Sequence, residues 1–174
     1  MAFLPADFEV PTLLETDRFR LRPISVDDLD MDYEAVVSSR QELWRRFGQA
    51  WGWPSKDLTA EQDGKDLRRH EEEFERRSSF DYAVMAPDES SLLGCVYIDP
   101  ATEAGFDAEV HLWVRASEAG TGLEEQLDQT VRRWVADRWP SGGSPTRAGS
   151  PSRTWPAPPP WPGWPPRPPW SCGG

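Results

Sequence analysis

The sequence predicts an α+β domain in which helices pack against a mostly antiparallel sheet. The prediction depends on an alternating strand near the start, two segments with helical spacing, and three strand-like segments before a final helix. At 174 residues, the chain has the length of a single domain. Because 12 of its 18 prolines lie between residues 140 and 174, we expect residues 1–139 to fold and residues 140–174 to be a disordered Pro/Gly/Trp-rich tail.

The first strand and the first helix follow from local patterns. Residues Arg18–Arg22 alternate polar and apolar side chains, which is typical of a half-buried strand, and Pro23 ends the alternation. Ser25 then has the position of a helix cap, with Asp28 in an acidic first turn, so a helix is predicted over residues 26–38. The residues expected to point inward are Leu29, Tyr33, Val36 and Val37.

A cluster of aromatic residues follows this helix, in a segment that Gly and Pro interrupt; its members are Trp44, Phe47, Trp51 and Trp53. We expect a loop here. Two interpretations stay open at this point. The aromatic side chains could wall a substrate cleft, or they could form local core beneath a long loop.

A second helix is predicted over residues 60–77, because Thr59 and Gln62 have the spacing of a capping box. Its acidic run Glu71–Glu73 is interpreted as a solvated face and not as a metal site, and His70 is placed on the packed face. The ion pairs expected on the solvated face are Glu72–Arg76 and Glu73–Arg77.

Three more strands are predicted, over Phe80–Ala86, Leu92–Ile98 and Asp107–Arg115. The residues that join the first two are typical of a hairpin turn. Alternation along the last of them separates two faces. One face carries Asp107, Glu109, His111 and Trp113, and the other carries Ala108, Val110, Leu112 and Val114.

A glycine loop, Gly120-Thr121-Gly122, follows this strand and precedes a helix expected to run from about Gly122 to Trp139. Thr121 and Glu124 again have the spacing of a capping box. A Gly-x-Gly turn at the start of a helix presents backbone N–H groups and the positive end of the helix dipole, which suits a pyrophosphate. Taken alone, the pattern is weak, since most such turns only reverse the chain.

Three segments of the chain resemble parts of one known family. Leu14–Pro23 looks like its opening strand, Leu92–Ile98 like its third strand, and Ala108–Leu123 like its fourth strand and the loop that holds a pyrophosphate. That family is the GNAT superfamily of N-acetyltransferases, in particular the group similar to ribosomal-protein acetyltransferases. The resemblance covers about Leu14 to Trp139.

The resemblance implies an acyl transfer in which a primary amine attacks the thioester of acetyl-CoA directly, without a metal. Backbone groups near Trp113 and Val114 would align acetyl-CoA, the co-substrate. The amides expected to hold its pyrophosphate are those of Gly120, Gly122, Leu123 and Glu124. The loop departs from the family pattern at Ala119, where a basic or amide residue is usual, and at Glu124, where a small residue is usual.

The acceptor amine must lose a proton, so the reaction needs a general base. Members of the family often use a glutamate on the fourth strand, and Glu109 matches that position. His111 lies two residues further on the same face and could relay the proton or replace Glu109. The alternative is that both are ordinary residues on a solvated face.

The resemblance also implies strands beyond residue 139, which the tail does not supply, so we expect the sheet to lack its C-terminal strands. If the codons of residues 141–149 are read one base earlier, they permit Phe-Arg-Arg-Val-Ala-Tyr-Pro-Gly-Arg, a strand-like segment. We therefore hypothesise a frame slip near Pro140. The alternative is a genuine Pro-rich ligand around Arg167.

Composition limits the partners. With 30 acidic and 19 basic residues the formal charge is −11, which argues against nucleic acid and against an anionic membrane. No secretory signal and no apolar run of membrane length is visible, so we expect a cytoplasmic protein. Cys95 and Cys172 suggest neither a disulfide framework nor a zinc site.

The expected partner is therefore a small-molecule or peptide amine, together with self-association through the exposed edge of the fourth strand. A different class of function stays open. The chain could be a catalytically inactive remnant of the family, or a binding module that uses the aromatic segment or the tail.

Overall fold

A six-stranded sheet, in the order β1 to β6, forms the centre of the computed structural model, which describes residues 4–101, 108–140 and the backbone of 147–148. The strands are β1 (Leu14–Glu15), β2 (Arg20–Pro23), β3 (Phe80–Met85), β4 (Leu92–Pro100), β5 (Ala108–Val114) and β6 (Arg147–Ala148). The first five pair antiparallel, and β6 pairs parallel with β5. The predicted α+β class and its antiparallel sheet are confirmed.

Five helices accompany the sheet in the described part of the chain. They are α1 (Leu29–Ser38), α2 (Arg40–Leu43), α3 (Gln49–Trp51), α4 (Ala60–Glu75) and α5 (Leu123–Arg138). Short 3₁₀ turns lie at Val26–Asp28 and Ala116–Glu118, and a π-helical turn lies at Trp44–Gly48. None of the described helices is both long enough and apolar enough to cross a membrane.

Two hydrophobic cores lie on opposite faces of the sheet, because side chains alternate along each strand. On one face, Val110 and Val114 of β5 pack with Leu127 and Val131 of α5. On the other face, Trp113 packs in a cluster that includes Cys95, Val36 of α1 and Leu67 of α4. The predicted division of β5 into two faces is confirmed for the residues that the structure describes; Asp107 lies outside them.

The start of α1 is built as predicted, although its buried face differs. Ser25 and Asp28 form a complete capping box before the helix. Val37, predicted to point inward, is 37% exposed, and Ala35 is buried instead. The physical reason is helical geometry: Val37 lies about 100° around the helix from Val36 and so falls outside the buried stripe of Asp32, Ala35 and Val36.

The aromatic segment is helical, so the predicted loop over Trp44–Trp53 is wrong for most of its length. A continuous helical path runs through α2, the π turn and α3, and it ends at Gly52, whose φ is +67°. Gly48 does not break the path. The indole of Trp44 lies directly against it, where any Cβ would collide with the ring.

The C-terminal region holds one short strand that the sequence did not predict. Arg147–Ala148 pairs parallel with Glu109–Val110 and so covers part of the outer edge of β5. Apart from Pro140 and this pair, the segment 140–174 lies outside the described residues, and so do the disordered tail and the frame slip that we hypothesised. Self-association through the edge of β5 stays a prediction.

Gly94 sets the distance between β4 and β5, because a Cβ there would overlap the carbonyl oxygen of Trp113. We expect Gly94→Ala to lower the free energy of unfolding by about 3 kcal/mol, since the backbone of β5 must move. Gly64→Ala is the matched control, because it adds the same methyl group inside α4, at ordinary contact distance from Leu29. It is expected to stabilise the chain by about 0.5–1 kcal/mol. Urea unfolding measures the stability of both variants. Equal changes in the free energy of unfolding would contradict the proposed role of Gly94.

Asp28 links stability to pH. Burial opposes its ionisation, but two hydrogen bonds from Arg22, at 2.9 and 2.6 Å, and one from the N–H of Ser25 outweigh burial and lower its pKa. A lowered folded-state pKa contributes stability above the unfolded pKa of about 4, and the contribution is lost as the pH falls through the folded value.

We therefore expect Asp28→Asn to cost about 2 kcal/mol at pH 7 and to flatten the loss of stability on acidification below pH 4 or so. Thermal unfolding measured from pH 3 to pH 7 tests this. The control is Asp30→Asn, on the exposed side of α1, which should keep the acid dependence of the parent chain. An unchanged acid dependence in Asp28→Asn would refute the role of the ion pair.

Candidate active site

Glu109 and His111, the two predicted bases, lie side by side on β5 and are both buried. Their side chains are 11% and 10% exposed, and His111 Nε2 lies 3.8 Å from Glu109 Oε1. The face on which they lie is therefore covered, and not solvated as the alternative interpretation assumed; their catalytic role stays a prediction. The face is covered by the aromatic segment, because the Trp51 ring stands edge-on to His111 with its centroid 5.1 Å away.

Burial lowers the pKa of His111 to about 4, because it disfavours the imidazolium ion, so the imidazole is neutral near pH 7. Opposite Glu109 on β4 lies Asp99, whose carboxylate accepts a hydrogen bond from Ser79 at 2.7 Å. Burial, with the nearby charge of Asp81, raises the pKa of Asp99 to about 8. The candidate base thus has a neutral imidazole and a mostly protonated carboxyl as neighbours.

The aromatic segment packs on the sheet, as the core interpretation expected, and it also walls a cavity; that this cavity is a substrate cleft stays a prediction. Phe47 and Trp51 stack with centroids 4.6 Å apart, and Trp53 lies 6.0 Å from Trp113. The Trp113 indole donates a hydrogen bond to the Tyr97 hydroxyl at 3.0 Å. Trp51 and Trp53 line the cavity, whereas Trp44 is 50% exposed.

The cavity lies between α1, α4 and the strands β3 and β4. Its lining is rich in carboxyl groups, contributed by Asp32, Asp63, Asp66 and Asp81. It lies close to the candidate base, because Asp81, Tyr97 and His111 are paired in register across β3, β4 and β5 and form one row on the same face.

His70 forms the cationic centre of this region. Its Nδ1 is paired with Asp81 and lies 3.6 Å from Glu73 Oε2. Burial alone would lower its pKa, but these two carboxylates outweigh burial and raise it to about 10. His70, Glu73 and Asp81 hold ligand atoms within 4.8 Å of one another, a distance that would also suit a metal ion.

Two predictions for α4 need correction here. Glu73, expected on a solvated face with Arg77 as its partner, is only 14% exposed and lies against His70. Arg77 follows the end of the helix at a φ of +60° and donates to the carbonyls of Pro5 and Phe8. The predicted pair of Glu72 with Arg76 is confirmed.

The glycine loop has the left-handed backbone conformation that lets the chain turn tightly into the start of α5. Gly120 and Gly122 have φ values of +76° and +77°, which L-residues rarely adopt, and α5 begins at Leu123. The predicted capping box of Thr121 and Glu124 is wrong. Gly122 is the residue before the helix, and the Glu124 carboxylate is drawn instead to Arg46 of the π turn.

Two arginines from distant elements flank this loop, and the sequence analysis missed both. Arg46 is paired with Glu124. Arg18 donates to Gln126 Oε1 at 3.2 Å and to the carbonyl of Thr121 at 3.4 Å. No sequence signal connects them with the loop, because only the folded chain brings them there.

The strand register distinguishes the two backbone positions expected to align acetyl-CoA. The N–H of Arg115 donates to the carbonyl of Leu93 at 2.7 Å, and the register pairs Trp113 with Cys95. In an antiparallel pair the backbone groups alternate in direction, so those of Trp113 face β4 and those of Val114 face the outer edge.

Three solved structures with a similar fold are described as acetyltransferases. The ribosomal-protein-S5-alanine acetyltransferase of Vibrio fischeri is 18% identical, with a TM-score of 0.57 over 73% of this chain and 68% of that chain. The Salmonella typhimurium enzyme that modifies the N-terminal serine of ribosomal protein L7/L12 is 16% identical, with a TM-score of 0.57 over 76% and 70%.

The microcin C7 self-immunity acetyltransferase MccE, solved with acetyl-CoA and AMP, is 11% identical, with a TM-score of 0.55 over 76% of this chain and 68% of that chain. No curated protein sequence matches the chain. The family model described as Acetyltransferase (GNAT) domain matches residues 18–144, which is well over half of the sequence. With this match, and with the fold of known acetyltransferases, the chain belongs to the GNAT acetyltransferase family.

Proposed function

We propose that the chain transfers the acetyl group of acetyl-CoA to a primary amine by direct attack of the amine nitrogen. The observation that carries this proposal is the buried pair Glu109 and His111 on β5, beside the outer edge toward which the backbone of Val114 is turned. The glycine loop and the start of α5 follow that strand directly, where an anionic co-substrate would meet backbone N–H groups.

The proton that the amine must lose suggests a role for each of the two side chains. An amine acceptor reaches the site as an ammonium ion and must lose one proton before its nitrogen forms a bond to the thioester carbon. Glu109 is proposed as the base, with neutral His111 as the relay. Their 3.8 Å separation is too long for a direct hydrogen bond, so a proton would pass between them through a water molecule or the acceptor amine. The carbon–sulfur bond then breaks, the attacking nitrogen gives up its second proton as the amide forms, and the thiolate takes up one proton, so that one proton is released overall.

Two features support binding of the pyrophosphate despite the unusual loop. The loop lacks a basic residue at Ala119, but Arg46 and Arg18 bring guanidinium groups to the same place. Glu124, whose charge opposes an anion, is held by Arg46. We propose that Gly120, Gly122 and Leu123 supply amides to the pyrophosphate.

The first experiment is a calorimetric titration of acetyl-CoA into the full 174-residue chain, with circular dichroism to show that the chain is folded. Binding of micromolar order is expected, because the loop, β5 and both arginines are in place. A folded chain that does not bind acetyl-CoA would contradict the proposal and favour the inactive remnant.

The base is tested by Glu109→Gln, which keeps the shape of the side chain and removes its basicity. We expect kcat/KM to fall by about 10²–10³-fold, with little change in acetyl-CoA affinity. Glu125→Gln, an equal change of charge at an exposed position of α5, is the control and should retain the parent activity. Equal activity of Glu109→Gln and Glu125→Gln would rule out this base.

A second prediction follows if Glu124 and the pyrophosphate of acetyl-CoA compete for Arg46. Arg46→Ala should weaken acetyl-CoA binding by roughly tenfold, since one cation beside the pyrophosphate is lost. Glu124→Gln should strengthen binding severalfold, because it removes a negative charge and releases Arg46. Glu125→Gln again serves as control. Calorimetry measures all three, and a change of the same sign in Arg46→Ala and Glu124→Gln would contradict the competition.

A further inference from the structure

The carboxyl-lined cavity described above has a charge that its own residues do not balance. Among its four aspartates, Asp81 is paired with His70, and Asp66 lies 3.4 Å from Arg69. No ion pair joins Asp32 or Asp63 to a basic residue in the described part of the chain. These two carboxyl groups, 6% and 2% exposed, are therefore buried beside each other without a cation of their own.

Asp63 also has an atom without a partner. Its Oδ2 is buried and has no hydrogen-bond partner among the described residues. Burial, with the charge of Asp32, raises the pKa of Asp63 to about 8, and burial raises that of Asp32 to about 6. The two groups thus share a proton near neutral pH. The pair then carries one buried negative charge, and Asp32 also accepts a hydrogen bond from the Cys95 thiol at 3.6 Å.

The other walls of the cavity favour an organic cation over a metal ion. Trp51 and Trp53 present indole rings, which attract ammonium groups and offer no metal ligand. The Nδ1 of His70 already faces Asp81. The volume of the cavity is about 50 Å³, several times the roughly 10–15 Å³ that one water molecule needs. It therefore has room for an ammonium group and a few methylenes.

The cavity also lies at a defined distance from the candidate base. Asp81, Tyr97 and His111 form one row, so His111 is two strand spacings, roughly 9–10 Å, from the β3 side of the cavity. Trp51 touches His111 and lines the cavity, and so forms a wall common to both. An acceptor that reaches from one to the other is a short chain with a functional group at each end.

We infer that the cavity binds a second ammonium group of the acceptor, at Asp32 and Asp63 between Trp51 and Trp53, while the reactive amine lies beside His111. This inference rests on the proposed acetyl transfer. The acceptor is accordingly an alkyl chain with two amino groups, either a free diamine or a peptide with lysine next to its terminal amine.

The cation site is tested first without acetyl-CoA, by calorimetry with 1,4-diaminobutane, 1-aminobutane and 1,4-butanediol on the full chain. We expect the diamine to bind at least tenfold more tightly than the monoamine, and the diol not to bind. Equal binding of the two amines would overturn the inference. So would stoichiometric binding of MgCl₂ or ZnCl₂ that displaces the diamine.

Asp63→Asn separates a ligand site from a structural role. It keeps the shape of the side chain and its hydrogen bond to Asp32, but the pair can then carry no more than one negative charge, so the melting temperature at pH 7 should not fall while diamine binding is lost. Asp32→Asn should act in the same way. Glu61→Gln, an exposed acid on α4, is the control and should bind diamine like the parent chain. Undiminished diamine binding in Asp63→Asn would refute the site.

Acetyl transfer then identifies the source of the second cation. We expect kcat/KM to favour 1,4-diaminobutane over 1-aminobutane by at least tenfold, and to favour a peptide that begins Ala-Lys over one that begins Ala-Ala. The faster of the two, the free diamine or the Ala-Lys peptide, identifies which kind of acceptor supplies the second ammonium group. Transfer to monoamines without such a preference would overturn this inference and leave the proposed function intact. Diamine binding without any acetyl transfer would overturn the proposed function and leave only a cation site.

Discussion

The register between β4 and β5 is the constraint on which the remaining features depend. Consecutive pairs run from Gly94 and Val114 to Pro100 and Ala108, and they decide which side chains share a face. A slip of one residue would turn His111 and its neighbours toward α5 and bury valines beneath the tryptophans. The close approach at Gly94 resists such a slip, because only glycine leaves room there for the carbonyl of the facing strand. The candidate base and the entry to the glycine loop are thus positioned, relative to the cavity residues of β4, by one ladder of hydrogen bonds.

Charge is distributed unevenly for a chain whose formal charge is −11. Arg18 and Arg46 lie at the glycine loop, at the start of α5, whereas Asp32 and Asp63 line the cavity between α1 and α4. On the proposed function, this separation matches the two substrates. An anionic thioester meets the cationic end of the molecule and a cationic amine meets the anionic cavity, so each would be repelled from the site of the other.

Local patterns predicted what local interactions determine. The capping boxes at Ser25 and Thr59 and the two faces of β5 need only neighbours in sequence, and they are present. Features that depend on tertiary contacts were not predictable in this way. Glu124 has the spacing of a capping residue, but its carboxylate forms an ion pair with Arg46, which is 78 residues away in the sequence. The row from Asp81 to His111 exists only once three strands are in register. The helical path through Gly48 depends on an indole that fills the place of its missing side chain.

The π turn has a consequence for how the two ends of the molecule communicate. Arg46 and Trp51 belong to one continuous helical path, and they touch Glu124 and His111 respectively. A ligand that shifted the helical path at Arg46 would therefore also shift Trp51, and a ligand bound against Trp51 would restrain Arg46. Thermodynamic linkage makes such an effect reciprocal, so occupation of either site would change affinity at the other by the same factor. The helical path that holds Arg46 and Trp51 would then couple the binding of the two substrates.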